Sequence, residues 1–368
     1  MKIAQEELVI VPLAEAETIP AEWYTHRDMQ SLEKEAVFAR SWQLVGHESD
    51  LGSAGDHIVA TIADEPLIIV RGKDNVLRGF FNVCRHRGGP LATEDGCATH
   101  LQCKYHGWTY NLDGTLKATP DFDGVEAFDK ANVKLPPVEV EVWHGLVFAR
   151  VESEGPALSE LLEGINERLG TLKLGELAYH SRISYEVKCN WKVYVDNYLE
   201  GYHVPIVHPE LVKLYDFRSY QTEVRKWYSF QHSPLSGEEN IYSSGDGEAL
   251  YYFIWPNLML NILPGRLQTN IVEPVDESNC IVHFDYYYAE GTTQEKIEQD
   301  LSFSHDVQHE DIDICEHVQR GVSSRSYHKG RFSVKKEEAV YHFQNLLKTA
   351  FANSAHDRNH EQMHYPQN

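Results

Sequence analysis

The sequence has too few basic residues for a typical nucleic-acid-binding protein and too few long apolar runs for a membrane protein. Lysine and arginine together number 33, against 56 aspartate and glutamate residues, which gives a formal net charge of −23. Because nucleic-acid binding needs clustered lysine and arginine, we expect no nucleic-acid partner. The most apolar stretch, YYFIWPNLMLNILPG from Tyr251, is interrupted by Pro256, Asn257 and Asn261. It therefore predicts buried strands, and we expect no membrane segment.

Cysteine is also scarce, with six in 368 residues. The first residues, MKIAQEELVIVPLAEAET, are acidic where a secretory signal needs basic residues, so we expect a cytoplasmic protein. In a reducing compartment, cysteine paired with histidine binds metal more often than it forms disulfides. Four of the six have no such pairing and are expected to be buried small side chains: Cys97, Cys189, Cys280 and Cys315.

Two kinds of pattern follow one another along the chain. Short apolar strands separated by Gly, Pro and Asp turns, from about residue 56 to 151, predict a small all-β domain. Later residues mix strands with helices, among them a helical segment from Trp191 to His203 and a long helix from about Gln294 to Arg320. The predicted fold class is α+β, with strands and helices segregated. The expected division is an N-terminal segment over 1–40, an all-β domain over 41–155, and an α+β domain over 156–368 on which the N-terminal segment packs.

The densest grouping of cysteine and histidine lies in the all-β region. In CRHRGGPLATEDGCATHLQCKYHGWTY, from Cys84 to Tyr110, two pairs stand out: Cys84 with His86, and Cys103 with His106. Glycine-rich turns between strands would place these pairs on two loop tips that grip one metal centre. Two chemistries fit: a structural zinc site, or a Rieske [2Fe–2S] cluster in which two cysteines hold one iron and two histidines the other.

The order of the ligands separates these two alternatives. Common zinc fingers use a pair of cysteines followed by a pair of histidines. Here each pair contributes one cysteine and one histidine, which suits a dinuclear centre whose two irons have different ligands. The sequence therefore favours the [2Fe–2S] cluster.

A second candidate metal site lies in CNWKVYVDNYLEGYHVPIVHP, from Cys189 to Pro209. In an uninterrupted helix His203 and His208 would lie about 140° apart around the axis and could not share a metal. Pro205 stands between them, and we expect it to kink the helix so that both imidazoles reach one point. Two histidines suggest the 2-His-1-carboxylate ligand set of ferrous non-haem oxygenases.

The carboxylate is expected on the long helix, where HDVQHEDIDICEHVQRG offers Asp311 and Asp313. Asp311 falls on a stripe with Val307, Cys315 and Val318, whereas Asp313 lies on the polar face. A lone carboxylate in an apolar stripe is costly unless it is paired or bound to metal. Asp311 is therefore the predicted third ligand, and Asp313 is the alternative.

Both motifs resemble those of the Rieske non-haem iron oxygenases, the aromatic-ring-hydroxylating dioxygenase family. The first is similar to their Rieske motif through Arg85, Arg87-Gly88 and YHGW from Tyr105. The second, DNYLEGYH-x4-H followed by the E-D pair at Glu310, is similar to their catalytic domain, where the aspartate of that pair is the ligand. The resemblance covers about residues 33 to 351. It implies an all-β Rieske domain followed by an α+β catalytic domain whose antiparallel sheet is covered by helices.

The resemblance implies the terminal oxygenase (alpha) subunit of a multicomponent system. Such a subunit would use O2, a [2Fe–2S] cluster and Fe(II), and would receive electrons from NAD(P)H through a separate reductase, possibly with a ferredoxin. The sequence itself contains no dinucleotide fingerprint. The family also implies a head-to-tail homotrimer, since the cluster and the mononuclear iron of one chain are too far apart for efficient electron transfer. Carried over to this chain, Glu200 would join His106 of one subunit to His203 of the next.

One branch of the family is the most similar. Many ring dioxygenases have aspartate at the position of Glu200, and glutamate there is associated with the branch that acts on quaternary ammonium compounds such as choline, glycine betaine and carnitine. The predicted reaction is hydroxylation or oxidative demethylation of such a compound. Two alternatives stay open at this point: a mono- or dioxygenase of an aromatic acid, and a zinc-stabilised binding protein that is not an enzyme.

Overall fold

The computed structural model of the chain describes residues 3–170, 172–214, 219–235 and 247–364, with side chains described up to residue 356. The chain forms two compact units. The β unit is Phe38–Leu158, and the mixed unit combines Met1–Val37 with Ser159–Asn368. None of the described helices is long and apolar enough to cross a membrane.

The β unit contains ten strands, all paired antiparallel. One seven-stranded sheet has the order β1-β10-β9-β4-β3-β2-β5, and a small sheet has the order β6-β7-β8. Ala63 and Asp64, in the turn between β2 and β3, both have positive φ, as the tight turn of a β-hairpin requires. The strands are β1 (Gln43–His47), β2 (Asp56–Ile62), β3 (Glu65–Arg71), β4 (Leu77–Phe81), β5 (Gly96–Cys97), β6 (Leu101–Gln102), β7 (Thr109–Tyr110), β8 (Leu116–Ala118), β9 (Pro137–Trp143) and β10 (Leu146–Arg150).

The helices belong mostly to the mixed unit. They are α1 (Ala21–Thr25), α2 (Asp28–Glu33), α3 (Leu158–Leu161), α4 (Ile165–Leu169), α5 (Trp191–Tyr198), α6 (Val204–Val207), α7 (Gln294–Val322) and α8 (Glu338–His364). A π-helical turn spans Lys34–Phe38. Short 3-10 helices span Gln5–Leu8, Glu48–Leu51, Lys130–Asn132, Leu174–Glu176 and Leu211–Leu214.

The mixed unit is built on one antiparallel sheet with the order β11-β17-β16-β15-β14-β13-β12. Helix α5 packs against β16, α7 against β11 and α5, and α8 against β12. The predicted α+β class, with an antiparallel sheet covered by helices, is confirmed. The strands are β11 (Ala178–Val187), β12 (Gln221–Val224), β13 (Tyr228–Pro234), β14 (Glu248–Ile254), β15 (Leu258–Leu263), β16 (Arg266–Asp276) and β17 (Asn279–Tyr288).

The two helices next to the predicted second metal site begin at polar caps. Asn190 accepts the Lys192 N–H at 3.1 Å at the start of α5, and Thr293 accepts the Lys296 N–H at 3.3 Å at the start of α7. Lys192, which is fully buried, also pairs with the buried carboxylate of Glu33. This ion pair ties the N-terminal helices to α5.

The cysteines outside the predicted ligand set differ in exposure. Cys189, Cys280 and Cys315 are buried, as predicted. The prediction is wrong for Cys97, which is exposed. Its strand, β5, is two residues long and lies at the edge of the sheet, where no neighbouring strand covers it.

Candidate metal centres

Two loops of the β unit carry the first predicted ligand set and share one backbone geometry. In each loop the cysteine N–H donates to the carbonyl five residues on, from Cys84 to Gly89 at 2.9 Å and from Cys103 to Trp108 at 2.8 Å. In each, a glycine four residues after the cysteine donates back to the cysteine carbonyl and has a φ of 73°, a value that favours glycine. The two loops therefore present their ligands in the same way.

The side chains of these loops meet in a buried space. Cys84 and Cys103 are 2% and 3% exposed, and the imidazole centroids of His86 and His106 lie 4.7 Å apart. His86 Nδ1 is buried and has no hydrogen-bond partner within the described residues. A buried nitrogen without a partner is costly unless it binds a metal. Two thiols and two imidazoles, one of them with a vacant buried nitrogen, fit a Rieske cluster.

A single zinc ion fits the same residues less well. A tetrahedral zinc site holds its donor atoms about 2.0–2.3 Å from one ion. In the described parts of the chain, the only group of three or more His, Cys, Asp or Glu donors within 4.8 Å of one another is His203, His208 and Asp311. The four loop residues do not form such a compact group, which favours a two-iron cluster over a single ion.

Tyr110 is a contact of this pocket that the sequence pattern did not single out. Its hydroxyl accepts the Arg85 N–H at 2.9 Å and lies 3.3 Å from Cys84 Sγ. With Cys84 as a deprotonated metal ligand, the Tyr110 hydroxyl would be the donor of this hydrogen bond. Hydrogen bonds to ligand sulfurs tune the potential of iron–sulfur clusters. The one sequence signal was its position as the last residue of the quoted motif.

The second predicted ligand set lies where a helix of the mixed unit stops. Helix α5 ends, and the chain bends before α6 begins. In this bend the Glu200 carboxylate accepts hydrogen bonds from the backbone N–H groups of Tyr202 and His203. If the helix continued, these N–H groups would bond to carbonyls of the preceding turn. The predicted kink at Pro205 is wrong. This proline lies in the first turn of α6, where its missing N–H is not needed.

The bend brings both histidines to one carboxylate on α7. His208 Nε2 lies 3.0 Å from Asp311 Oδ1, and His203 Nε2 lies 3.7 Å from the same oxygen. His208 is 1% exposed, while the other two side chains are partly buried. Asp313 is 81% exposed and lies beside His317. The structure therefore brings Asp311, and not Asp313, to the histidines.

The stripe on α7 that motivated this choice is shorter than predicted. Cys315, one turn after Asp311, is buried, but Val318 is exposed. Asn197, on α5, donates its Nδ2–H to Asp311 Oδ1 at 2.6 Å. Asp311 is thus held by an amide from α5, as well as lying on the inward face of α7.

The Nδ1 atom of each histidine contacts a different glutamate. His203 Nδ1 lies 2.7 Å from Glu200 Oε1, and His208 Nδ1 lies 2.7 Å from Glu310 Oε2. A carboxylate that accepts the Nδ1–H sets the tautomer and leaves the Nε2 lone pair for a metal. Burial lowers the pKa of His208, but hydrogen bonds to Asp311 and Glu310 outweigh it and hold the pKa above its ordinary value. The Asp311 and Glu310 carboxylates thus favour a positive charge at His208.

Glu310 is the main residue of this pocket whose role sequence reasoning missed. Its contact with His208 joins residues 102 positions apart and depends on how α7 lies against α6. The sequence contained only the E-D pair in which Glu310 precedes Asp311.

A cavity of about 920 Å³, including its open mouth, lies beside the three candidate ligands. Beyond these ligands, its described charged lining consists of Glu200 and Arg266. Much of the remaining wall is amide or aromatic. The aromatic residues of the wall are Tyr194, Tyr198, Tyr220, Tyr251, Phe284 and Phe303.

Exposed apolar side chains lie next to both candidate pockets. In the β unit, Tyr105 is 58% exposed and its ring contacts that of His106. In the mixed unit, Tyr202 and Ile206, on either side of His203 in the chain, are 56% and 85% exposed. Exposed apolar groups of this size are typical of surfaces that another molecule covers.

Comparisons with known proteins agree with both ligand sets. Residues 41–129 match the family described as the Rieske [2Fe-2S] domain, and residues 174–352 match the ring hydroxylating alpha subunit (catalytic domain). The carnitine monooxygenase oxygenase subunit of Acinetobacter baumannii is 36% identical over 349 residues, which cover 90% of this chain and 94% of that protein. The chloroplastic choline monooxygenase of Arabidopsis thaliana is 34% identical over 354 residues, covering 92% and 83%.

A solved structure is similar over nearly the whole chain. It is a quaternary ammonium Rieske monooxygenase, reported for its insights into carnitine oxidation by gut microbiota and inter-subunit electron transfer. The TM-score is 0.83 at 32% identity, and the match covers 93% of this chain and 99% of the other.

Proposed function

We propose that this chain is a terminal oxygenase acting on a methylammonium compound. It belongs to the family of Rieske non-haem iron oxygenase alpha subunits. As a member of this family it is an oxidoreductase that uses O2, a Rieske cluster and a mononuclear iron, and it takes electrons from a separate reductase. The alternative of a zinc-stabilised protein without activity is therefore wrong. The observation that carries the proposal is the convergence of His203, His208 and Asp311 at the wall of one cavity.

The proposal assigns each metal group to one set of residues. The chemistry supplied there is one-electron transfer at the cluster and activation of dioxygen at the iron. Three protein ligands would leave an iron at this site accessible to oxygen and substrate from the cavity. Cluster ligands are Cys84, His86, Cys103 and His106, and iron ligands are His203, His208 and Asp311.

The residues around the iron ligands orient them. Glu200 and Glu310 hold the Nδ1 atoms, so that both Nε2 atoms face Asp311. The Asn197 amide holds Asp311 Oδ1 from the opposite helix. These contacts position the three donors without occupying the cavity, where the substrate has to bind.

Support for a methylammonium substrate comes from the cavity wall and from the relatives. Tyr194 and Tyr220 donate their hydroxyls to Gln308 and Gln231, at 2.7 and 2.6 Å, which anchors their rings in the wall. Aromatic rings attract quaternary ammonium groups by cation–π interaction. The choline and carnitine monooxygenases named above carry substrates of this class in their names.

The proposal includes a head-to-tail homotrimer in which Glu200 joins His106 of one subunit to His203 of the next. The Glu200 carboxylate already contacts His203 Nδ1, and exposed apolar side chains lie near both ends of this path. The related structure was reported in connection with inter-subunit electron transfer. A ring of this kind has a heterologous interface closed by threefold symmetry. A ferredoxin between reductase and oxygenase, and a cytoplasmic location, stay predictions.

The test combines a substrate panel with a matched pair of variants. The loaded protein, supplied with reductase and NADH, should consume O2 with choline, glycine betaine or carnitine and transfer ¹⁸O from ¹⁸O2 to the product. Asp311→Asn should abolish this uptake because it removes a charged ligand, whereas Asp313→Asn, on the exposed face, should keep it. Product from benzoate, with none from any methylammonium compound, would contradict the proposed substrate class.

A further inference from the structure

The cavity has a polar wall on β16 whose hydrogen bonds run in one direction. Arg266, Gln268 and Asn270 alternate along the strand, so their side chains share one face, and all three line the cavity. The Arg266 guanidinium, which can only donate, donates an Nη2–H to Gln268 Oε1. Ser304 Oγ donates to the same oxygen at 3.2 Å. Gln268 must therefore direct its amide N–H to Asn270 Oδ1, at 2.6 Å.

This direction determines what Asn270 offers to the cavity. Its Oδ1 is used by Gln268, and its Nδ2 has no hydrogen-bond partner in the part of the chain that the structure describes. The side chain therefore directs its N–H groups to the cavity, while its oxygen is engaged by Gln268. A ligand that brings an acceptor atom can pair with these N–H groups.

The same wall carries a buried positive charge. Arg266 is 5% exposed, and its Nε donates to Asp300 Oδ2 at 2.7 Å. Arg266 is among the described lining residues and Asp300 is not, so the positive member of this ion pair is the one that borders the cavity. Arg266 is the one lysine or arginine in the described lining.

Strand β16 runs alongside α7 toward the candidate iron ligands. Arg266 contacts Asp300, and Gln268 contacts Ser304 one helical turn later. Two residues further along β16 is Asn270, and one turn further along α7 is Gln308, so these two residues should lie at the same level. Gln308 precedes Asp311 by three residues, or roughly 5 Å along the helix axis. The N–H groups of Asn270 thus lie close to where a substrate would react.

We propose that Asn270 binds the carboxylate of a zwitterionic methylammonium substrate, with Arg266 supplying the favourable potential. This inference rests on the proposed function and names the substrate class: carboxylated compounds such as glycine betaine and carnitine, and not choline. A choline hydroxyl can accept the same N–H, but it carries no charge for Arg266 to attract. The aromatic residues of the wall would hold the ammonium group, which leaves the carboxylate for β16.

The first experiment compares ligands on the unaltered protein. Isothermal titration calorimetry of the iron- and cluster-loaded protein, without reductant, measures the binding of glycine betaine, its methyl ester and choline. The acid should bind roughly tenfold or more tightly than the ester or choline, since only the acid presents a charge to this wall. Equal or tighter binding of the ester and choline would overturn the carboxylate assignment and leave the proposed function intact.

The second experiment changes the residue. Asn270→Asp keeps an acceptor for Gln268 and replaces the outward N–H groups by an anionic oxygen, so glycine betaine should bind roughly tenfold or more weakly while choline is unaffected or tighter. Asn270→Ala, which adds no charge, should weaken glycine betaine alone. Asn261→Asp is the matched control, since Asn261 lines the same cavity and uses its Oδ1 for the Tyr198 hydroxyl.

The outcomes distinguish failure of the assignment to Asn270 from failure of the proposed function. An equal loss from Asn261→Asp and Asn270→Asp would overturn the assignment to Asn270. Binding of benzoate, with no binding of any methylammonium compound, would overturn the proposed function and this inference together.

Discussion

The two metal pockets of this chain differ in how far along the sequence their ligands are gathered. Cys84 and His106 bracket the first ligand set, and two short loops with the same hydrogen bonds bring it together. The second joins His208 to Asp311, 103 positions away, through the packing of α6 and α7. The first pocket is a product of local backbone geometry, and the second is a product of tertiary structure.

The pockets also differ in what supports their histidines. A carboxylate contacts Nδ1 of both histidines in the iron pocket. In the cluster pocket His86 Nδ1 has no protein partner in the described residues, and its ring stacks on Trp108 at 4.8 Å. The first arrangement leaves Nε2 available to a metal and the second leaves His86 Nδ1 available, so the two pockets should respond differently to substitution.

The largest expected effect is the loss of one metal centre while the other is retained. His208→Ala should remove the mononuclear iron and abolish oxygenation while leaving the visible absorption of the cluster intact, because the cluster loops lie in another unit. Cys103→Ser should do the reverse, removing the absorption and keeping one iron. Absorption spectra with metal analysis measure both, and loss of both centres in either variant would show that the pockets are not independent.

Glu200→Gln tests the bridge. A neutral amide should transmit electrons poorly, so single-turnover oxidation of the cluster should slow by roughly tenfold to a hundredfold, while substrate binding and reduction by the reductase stay normal. Stopped-flow absorption of the reduced cluster measures this rate. An unchanged rate would rule out Glu200 as the path between subunits.

Glu310→Gln is the matched comparison, because Glu310 contacts His208 as Glu200 contacts His203. We expect roughly tenfold weaker iron binding, since the carboxylate orients the ligand, but a normal single-turnover rate once iron is loaded. Iron titration of the metal-depleted protein gives the affinity. If this variant slowed electron transfer as much as Glu200→Gln does, the two glutamates would have the same role and the bridge assignment would fail.

The smallest expected effect is at the cluster. Tyr110→Phe removes the hydroxyl that lies 3.3 Å from Cys84 Sγ. The reduction potential should fall, because a hydrogen bond to a ligand sulfur stabilises the reduced, more negative cluster. A redox titration followed by absorption measures the shift, and an unchanged or higher potential would show that the hydroxyl does not donate to the sulfur.

The contrast between the pockets explains how much could be predicted from the sequence. The cluster ligands could be predicted because their chemistry and spacing are local, and the two-unit α+β architecture followed from runs of strands and helices. Asp311 was distinguishable from Asp313 by helical periodicity alone. Each of these inferences needed only neighbours along the chain.

The remainder depended on contacts between distant segments. Pro205 was expected to kink a helix, but the helix had already ended and Glu200 was accepting the freed backbone N–H groups. The contact of Glu310 with His208 and the direction of the amides on β16 exist only once α7 packs against other elements. The spacing of residues in the sequence could not have predicted these contacts.

Metal analysis of anaerobically purified protein, with and without Asp311→Asn, tests the central claim most directly. Two separate iron-binding pockets in one chain predict about three irons per chain and the absorption of a Rieske cluster in the unaltered protein. The variant should retain that absorption and lose one iron. Zinc in place of iron, or an iron content unchanged by the substitution, would contradict the claim.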